Sequence, residues 1–585
     1  MKTQTHTSLT RFARDAVRRA SNWSRAVSDR LRGVPDRLRG LPAAVGWTGL
    51  VLLVILAVAA YLRLRGVHWG LPYSYQNADE RIVLQRAFRV ARGHPNPEFF
   101  FYPSLLFYLI GTVTWAIGHV YHPHGALLLA PTTFVTGATP YFLIGRTVVA
   151  ACGVASVWLV YRLGREAFSR PVGLLAALFL AVEPLHVRYS HVAVTDVPAT
   201  MFGLLALWLF VRAARRRDAR TLLFGALAAG LATGTKYNLG MLVLPGAIAC
   251  AYVYAPELRE RADRVGAFLT RLLRRVALPM GLAFLVSTPF ALLDPLHFLA
   301  DFYKQNHIVA NGWLGFENVH NGYWYNLSVN LLGSLGPVLL VLGLIGLALA
   351  CHRRRRADLI IAPYVIVYYL YVSSWHELMD RYLLPIVPLL VVLAMRACAE
   401  LAAVPGVRRR ALAFGVAAAL LLGAIVVPAQ GSLSYSRSLS GTDVRTIAMT
   451  WVERHVPRSA VIAMEPYGPP LIPRLRLPYY RAAGLRAVSY DIVRLPLPVP
   501  NKRDRYHNLR ALLERDVRYV IISSDVQTRV LAARHVYPAQ VRFYHQLARR
   551  GHLVKRFVPG PNERGPVISV YRLPASLTVA SLRSQ

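Results

Sequence analysis

The chain has 585 residues, 55% of them hydrophobic, with a mean hydropathy of +0.37 and a formal net charge of +39. That apolar content, gathered in blocks, exceeds what a soluble globular domain carries and points to a polytopic membrane protein. The positive charge would suggest nucleic acid in a soluble chain. Here the basic residues cluster in short loops between apolar runs, so charge reports topology and excludes a nucleic-acid partner as its first explanation.

Residues 1–43 form an Arg-rich tail expected on the cytoplasmic side, followed by an apolar run from Ala44 to Leu62 that is long enough to cross about 30 Å of hydrocarbon. The run lacks the small-residue cleavage signature of a signal peptide and reads as an uncleaved first helix. Further crossings are expected at 141–161, 172–188, 198–213, 221–234, 238–254, 276–292, 327–350, 358–374, 382–398 and 411–428. With that count, the loops "YRLGREAFSR", "RAARRRDAR", "CHRRRR" and "GVRRR" all fall on the amino-terminal side, as the positive-inside rule requires. One apolar segment, from Tyr102 to about 120, is left over. A single crossing there would invert every later loop, so it either dips and returns, lies in the interface, or pairs with the weak run "GALLLAPTTF".

Three parts are therefore expected: the tail 1–43, a transmembrane domain 44–430 with a first outward loop 63–140, and an extracytoplasmic α/β domain 431–585. In the last, "TDVRTIAMTWVERHV" reads as a helix starting at Thr442 or Asp443. "AVIAME", "VRYVIISS" and "PVISVYRL" read as strands, and "VYPAQVRFYHQLARRG" as a second helix. The cysteines Cys152, Cys250, Cys351 and Cys398 fall in or beside apolar runs, so no disulfide framework or thiolate metal site is expected.

The outward loops collect ionisable groups near helix ends: Asp79 and Glu80, Asp196, Lys236, His320 and Arg381. Each has a plain structural explanation. Asn77 and Glu80 can form a capping box for a helix with an apolar face of Val83, Leu84, Ala87, Phe88, Val90 and Ala91. Asp196 before Pro198 can start a helix, Lys236 can snorkel, and Arg381 can neutralise Asp380 or Glu377. His320 is the weakest candidate. Gathered at one depth on one side, however, charges that are costly to place in a membrane mark a substrate path.

The segments "NADERIVLQRAF", "FFYPSLLFYL", "SHVAVTDVPATMF", "GLATGTKYNLGMLVLP" and "RYLLPIVP" resemble, in order and spacing, the membrane region of glycosyltransferase family 39. These are the protein O-mannosyltransferase and aminoarabinose lipid A transferase type, within the glycosyltransferase C superfamily. The resemblance implies an α-helical polytopic membrane fold of about 11 to 13 transmembrane helices with a small C-terminal extracytoplasmic α/β domain. It also implies an inverting transfer of one sugar from a polyprenyl-phosphate carrier to a protein, lipid or glycan hydroxyl. In that reading Asp79, Glu80 and Asp196 are the catalytic carboxylates, with Asp79 the general base and Glu80 and Asp196 orienting the acceptor. Lys236, Arg381 and Tyr382 bind the donor phosphate, and Tyr102, His191 and His320 serve the acceptor or the cavity. The three carboxylates are also candidate ligands for a divalent cation, Mg²⁺ or Mn²⁺, since oxygen donors suit those ions. The competing reading is a transporter or flippase of an anionic lipid-linked sugar, which predicts charges at the midplane and repeat-related halves. A ligand-binding receptor ranks last, because no phosphate loop is present in the tail.

Overall fold

The computed structural model describes residues 46–73, 78–120, 133–402, 407–500 and 504–577. The basic tail 1–43, the expected cap Asn77 and most of "GALLLAPTTF" lie outside them. Among the described residues six helices are long and apolar enough to cross a membrane: Trp47–Leu64, Thr139–Ala167, Asp196–Arg216, Tyr237–Arg259, Gly322–Arg353 and Arg356–Ser373. Shorter apolar helices span Leu105–Val120, Arg170–Val182 and Ala219–Thr233. The molecule is an α-helical polytopic membrane protein with a small α/β domain.

Several boundaries differ from the sequence reading, each for a local reason. The segment expected at 172–188 ends at Val182, because Glu183 precedes Pro184 and caps a separate short helix, Pro184–Tyr189, through the Leu185 and His186 N–H groups. The segment expected at 382–398 starts only at Val387, with a 3₁₀ turn Asp380–Leu383 before it, because Pro385 and Pro388 favour a helix start rather than an interior. Within 276–292 the α-helix is Leu278–Ser287, preceded by a π turn Leu273–Ala277. The last long helix runs on to Ser438. The leftover segment forms the helix Leu105–Val120, packed against helices Ala78–Ala91 and Thr139–Ala167.

Small residues let helices approach closely in the membrane region. Helix Leu332–Arg353 packs on Val387–Ala402, and a Cβ at Gly346 would lie 2.1 Å from the Leu393 carbonyl oxygen. The basic loops share one end. Arg356 donates to the carbonyls of Ala214 and Arg215, and Arg396 pairs with Asp358 and with Glu400. Helix Asp196–Arg216 has Asp196 at its other end, about 30 Å away by helical rise.

The α/β domain carries a six-stranded sheet in the order β2-β3-β1-β4-β6-β5. The strands are β1 (Val461–Met464), β2 (Ile472–Pro473), β3 (Ser489–Arg494), β4 (Val517–Ser523), β5 (His552–Phe557) and β6 (Ile568–Arg572). β1 to β4 pair in parallel, and β6 runs antiparallel to β4 and β5. Alternation along β4 sends Val520 and Ile522 into one core with helices Ser524–Ala532 and Pro538–Arg550, and Tyr519 and Ile521 into the other with helix Val444–His455. That helix is capped by Asp443, and the expected strands and second helix are present.

Candidate functional site

Asp79 and Glu80 lie in the first turn of helix Ala78–Ala91. Successive helical residues point about 100° apart, and the two carboxylates face different surroundings. Glu80 turns inward and is fully buried. Its oxygens accept from Arg146 Nε and Nη2 at 2.7 and 2.8 Å, and Oε1 also accepts from the Ala193 N–H at 2.9 Å. Arg146 in turn donates to the carbonyls of Val67 and Trp69, and its guanidinium lies over the Trp69 ring. Asp79 remains one-third exposed and accepts from Arg381 Nη1 at 2.7 Å.

Arg381 sits on the 3₁₀ turn before helix Val387–Ala402. Its neighbour Asp380 fixes that turn by accepting from Arg188 and, at 2.8 Å, from the Tyr189 hydroxyl. Lys236 occupies an extended position between helix Ala219–Thr233 and the 3₁₀ turn Tyr237–Leu242. The break follows from "TGTK": Gly234 passes so close to Ser287 that a Cβ would meet its Oγ at 1.9 Å. Lys236 Nζ donates to Asp196 Oδ1 at 2.5 Å, both side chains being nearly buried. Tyr382 joins the two ion pairs, since its ring centroid is 4.5 Å from Lys236 Nζ and 5.8 Å from Arg381 Cζ.

Two hollows meet at these groups. The first, about 780 Å³ with its open mouth, is lined by Asp196, Lys236, Arg381, Tyr382 and Tyr102 together with the apolar side chains Phe101, Phe302, Val309 and Trp375. The second, about 1150 Å³, is bounded by Asp79, Arg188 and Tyr189 of the membrane region and by Arg445, Tyr467, Asp525 and Arg564 of the α/β domain. Arg381 lines both.

The structure thus brings together Asp79, Asp196, Lys236, Arg381, Tyr382 and Tyr102. Glu80 lies behind them. His191 is fully buried, with Nδ1 2.8 Å from the Val187 carbonyl and Nε2 3.0 Å from that of Arg65, so it pins two segments. His320 is exposed and lines neither hollow. Sequence reasoning passed over Arg188 and Tyr189, whose only signal is their position just ahead of "SHVAVTD", and over Arg445, Tyr467 and Arg564, which arrive from the α/β domain.

The carboxylates do not form a cation site. Asp79, Glu80 and Asp196 each face a separate cation, and among the described residues no group of three His, Cys, Asp or Glu side chains could hold a metal ion.

The family model described as dolichyl-phosphate-mannose-protein mannosyltransferase matches residues 123–286, a stretch that includes Asp196 and Lys236. Among solved structures, the chain is similar to the apo oligosaccharyltransferase of Archaeoglobus fulgidus. Identity is 13%, 84% of this chain and 72% of that one are covered, and the TM-score is 0.51. The chain shares the fold of that archaeal enzyme. The same archaeal enzyme tethered to an acceptor peptide gives 12% identity, coverage of 91% and 74%, and a TM-score of 0.50. ArnT from Cupriavidus metallidurans bound to undecaprenyl phosphate gives 16% identity, coverage of 92% and 99%, and a TM-score of 0.47. No curated protein matches.

Proposed function

We propose that the protein is an inverting glycosyltransferase. It moves a single sugar from a polyprenyl-phosphate donor to a hydroxyl acceptor on the extracytoplasmic face of the membrane. The observation that carries this reading is Arg381, a largely but not fully buried cation shared by two hollows of different chemistry. The family whose model matches uses a dolichyl-phosphate sugar, which supports the donor class. The site lies at the helix ends opposite the basic loops, so the positive-inside rule supports an extracytoplasmic site with the amino terminus cytoplasmic.

The apolar-walled hollow suits an isoprenoid chain, and Lys236 and Arg381 meet its phosphate. Asp196 holds Lys236 in place. The acceptor enters through the second hollow, where Asp79 reaches its hydroxyl. The acceptor oxygen attacks the anomeric carbon while the bond from that carbon to the phosphate oxygen breaks, with its electron pair leaving on the phosphate. The hydroxyl proton passes to the Asp79 carboxylate. Negative charge grows on the phosphate between Lys236 and Arg381, which stabilise it. A single displacement from the opposite face inverts the anomeric configuration. Glu80 is a positioning residue that fixes the helix presenting Asp79 through Arg146.

A transporter would need charges near the membrane midplane. Here they sit at helix ends beside a hollow that opens toward the α/β domain, which favours transfer. The test is incubation of the purified protein with radiolabelled polyprenyl-phosphate sugars and a membrane extract. Release of free polyprenyl phosphate with the label on an acceptor supports the reading. Label carried across vesicles with the donor intact supports the transporter instead.

A further inference from the structure

The sheet of the α/β domain has a topological switch point. From β1 the chain crosses to β3 on one side and then to β4 on the other, all in parallel. Open α/β sheets bind ligands in the crevice outside the carboxyl ends of such strands. A hollow of about 1100 Å³ lies there, formed by the segment Met464 to Leu471 after β1 and by Arg494, Leu495 and Leu497 at the end of β3.

Three guanidinium-bearing residues line it: Arg81 from the helix that presents Asp79, Arg476, and Arg494. The one acid among the described residues that line it, Glu465, is buried and committed elsewhere. It accepts from the Ser523 N–H at 2.8 Å and from the Tyr544 hydroxyl, and stands 3.6 Å from His507. The rest of the wall is prolines, aliphatic side chains and Tyr467. Tyr467 has φ of 61°, a left-handed conformation costly for an aromatic residue and typical of functional loops. The same tyrosine lines the hollow that holds Asp79 and Arg381.

We propose that this switch-point hollow is an acceptor-binding site for a polyanionic glycan, one bearing carboxylate or phosphate groups, whose terminal hydroxyl runs past Tyr467 to Asp79. Guanidinium groups pair with carboxylate or phosphate in two-pronged geometry, and the electron-rich face of the tyrosine ring accepts the C–H faces of a sugar. The proposal deepens the transferase reading and rests on it for the direction of the chain.

The test measures binding to the full-length protein in detergent micelles, using fluorescein-labelled tetragalacturonate and a labelled phosphorylated maltotetraose. Binding of at least one probe is expected, and R476Q/R494Q should weaken it at least about tenfold, because charge-assisted hydrogen bonds are lost at a half-buried and an exposed position. Neutral maltotetraose, inorganic phosphate and hexaglutamate should all compete poorly. Failure of both probes to bind, equal binding by the variant, or equal competition by hexaglutamate or by phosphate alone would overturn the proposal. Loss of donor binding in Lys236→Ala is read separately, so a failed transferase assignment and a failed glycan site give different patterns.

Discussion

Asp79 and Arg381 meet at 2.7 Å although they lie 302 positions apart in the chain. The pair closes the gap between the first outward loop and the turn before helix Val387–Ala402, and it stands where the two hollows join. A carboxylate that is to accept a proton beside a leaving phosphate needs this arrangement. In the proposed reaction the guanidinium serves Asp79 in the resting state and the phosphate when the donor enters.

Lys236 and Asp196 act as a unit at 2.5 Å. Lys236→Ala should weaken binding of a polyprenyl phosphate at least about tenfold, since a buried charge-assisted contact is removed. Asp196→Asn should weaken it too, and the double variant should add little to the worse single one. A binding series by fluorescence competition checks this, and additive losses would separate the two residues.

Glu80 and Arg146 form a buried two-pronged ion pair. Removing one partner leaves the other uncompensated, at a cost of about 3–5 kcal/mol. Glu80→Gln should therefore lower the unfolding temperature in detergent by several degrees. Donor affinity per folded molecule should stay near normal, and scanning fluorimetry with a binding measurement on the same sample distinguishes this from a direct catalytic role.

The loop after helix Pro295–Asn311 is fastened to the α/β domain. Leu314 is 3% exposed within that domain's core, Glu317 accepts from the Tyr537 hydroxyl at 2.6 Å, and Asn318 donates to the Ala532 carbonyl. The helix itself supplies Phe302 and Val309 to the apolar-walled hollow that also holds Lys236. Leu314→Ala should destabilise this docking by about 2–4 kcal/mol. Hydrogen exchange should rise in Ser524–Ala532 and in the loop, while helix Asp196–Arg216 stays protected.

The α/β domain should also show a defined pH response. Burial alone would lower the His507 pKa, but its hydrogen bond with Asp504 and the nearby Glu465 carboxylate outweigh it and raise it to about 9. Burial opposes and the His507 contacts outweigh it for Asp504, which is held below the usual carboxylate range. The histidine's contribution is complete below its unfolded value of about 6.5 and is lost as pH rises through about 9. That of Asp504 is present above about 4 and lost on acidification. Domain stability should therefore fall between pH 7 and 10, and His507→Gln should flatten that limb in a pH series of thermal melts.

Much of this was legible in the chain. Apolar runs bounded by arginine clusters located most of the helices, because a membrane allows few other ways to satisfy the backbone. Motif order pointed to the residues that converge at Arg381. The sequence groups Glu80 with Asp79 among the catalytic carboxylates, because adjacency in sequence hides the rotation that turns one outward and the other onto Arg146. His320 looked like a site residue only through its neighbours. The strands β2, β3 and β5 were not anticipated, since β2 has two residues and β5, "HLVKRF", is largely exposed, which weakens any apolar pattern. Tyr467 and Arg564 could not be foreseen, as nothing in a sequence tells which face of a distant domain closes over a membrane cavity.

The central claim is that Asp79 takes the acceptor's proton in a hollow shared with the donor phosphate. It is tested most directly by comparing wild-type protein and Asp79→Asn for donor affinity and for single-turnover sugar transfer in the same preparation. Donor affinity should change by no more than about threefold, while the transfer rate should fall by about 10² to 10⁴, the range expected for a lost general base. Transfer by Asp79→Asn at near the wild-type rate would contradict the account.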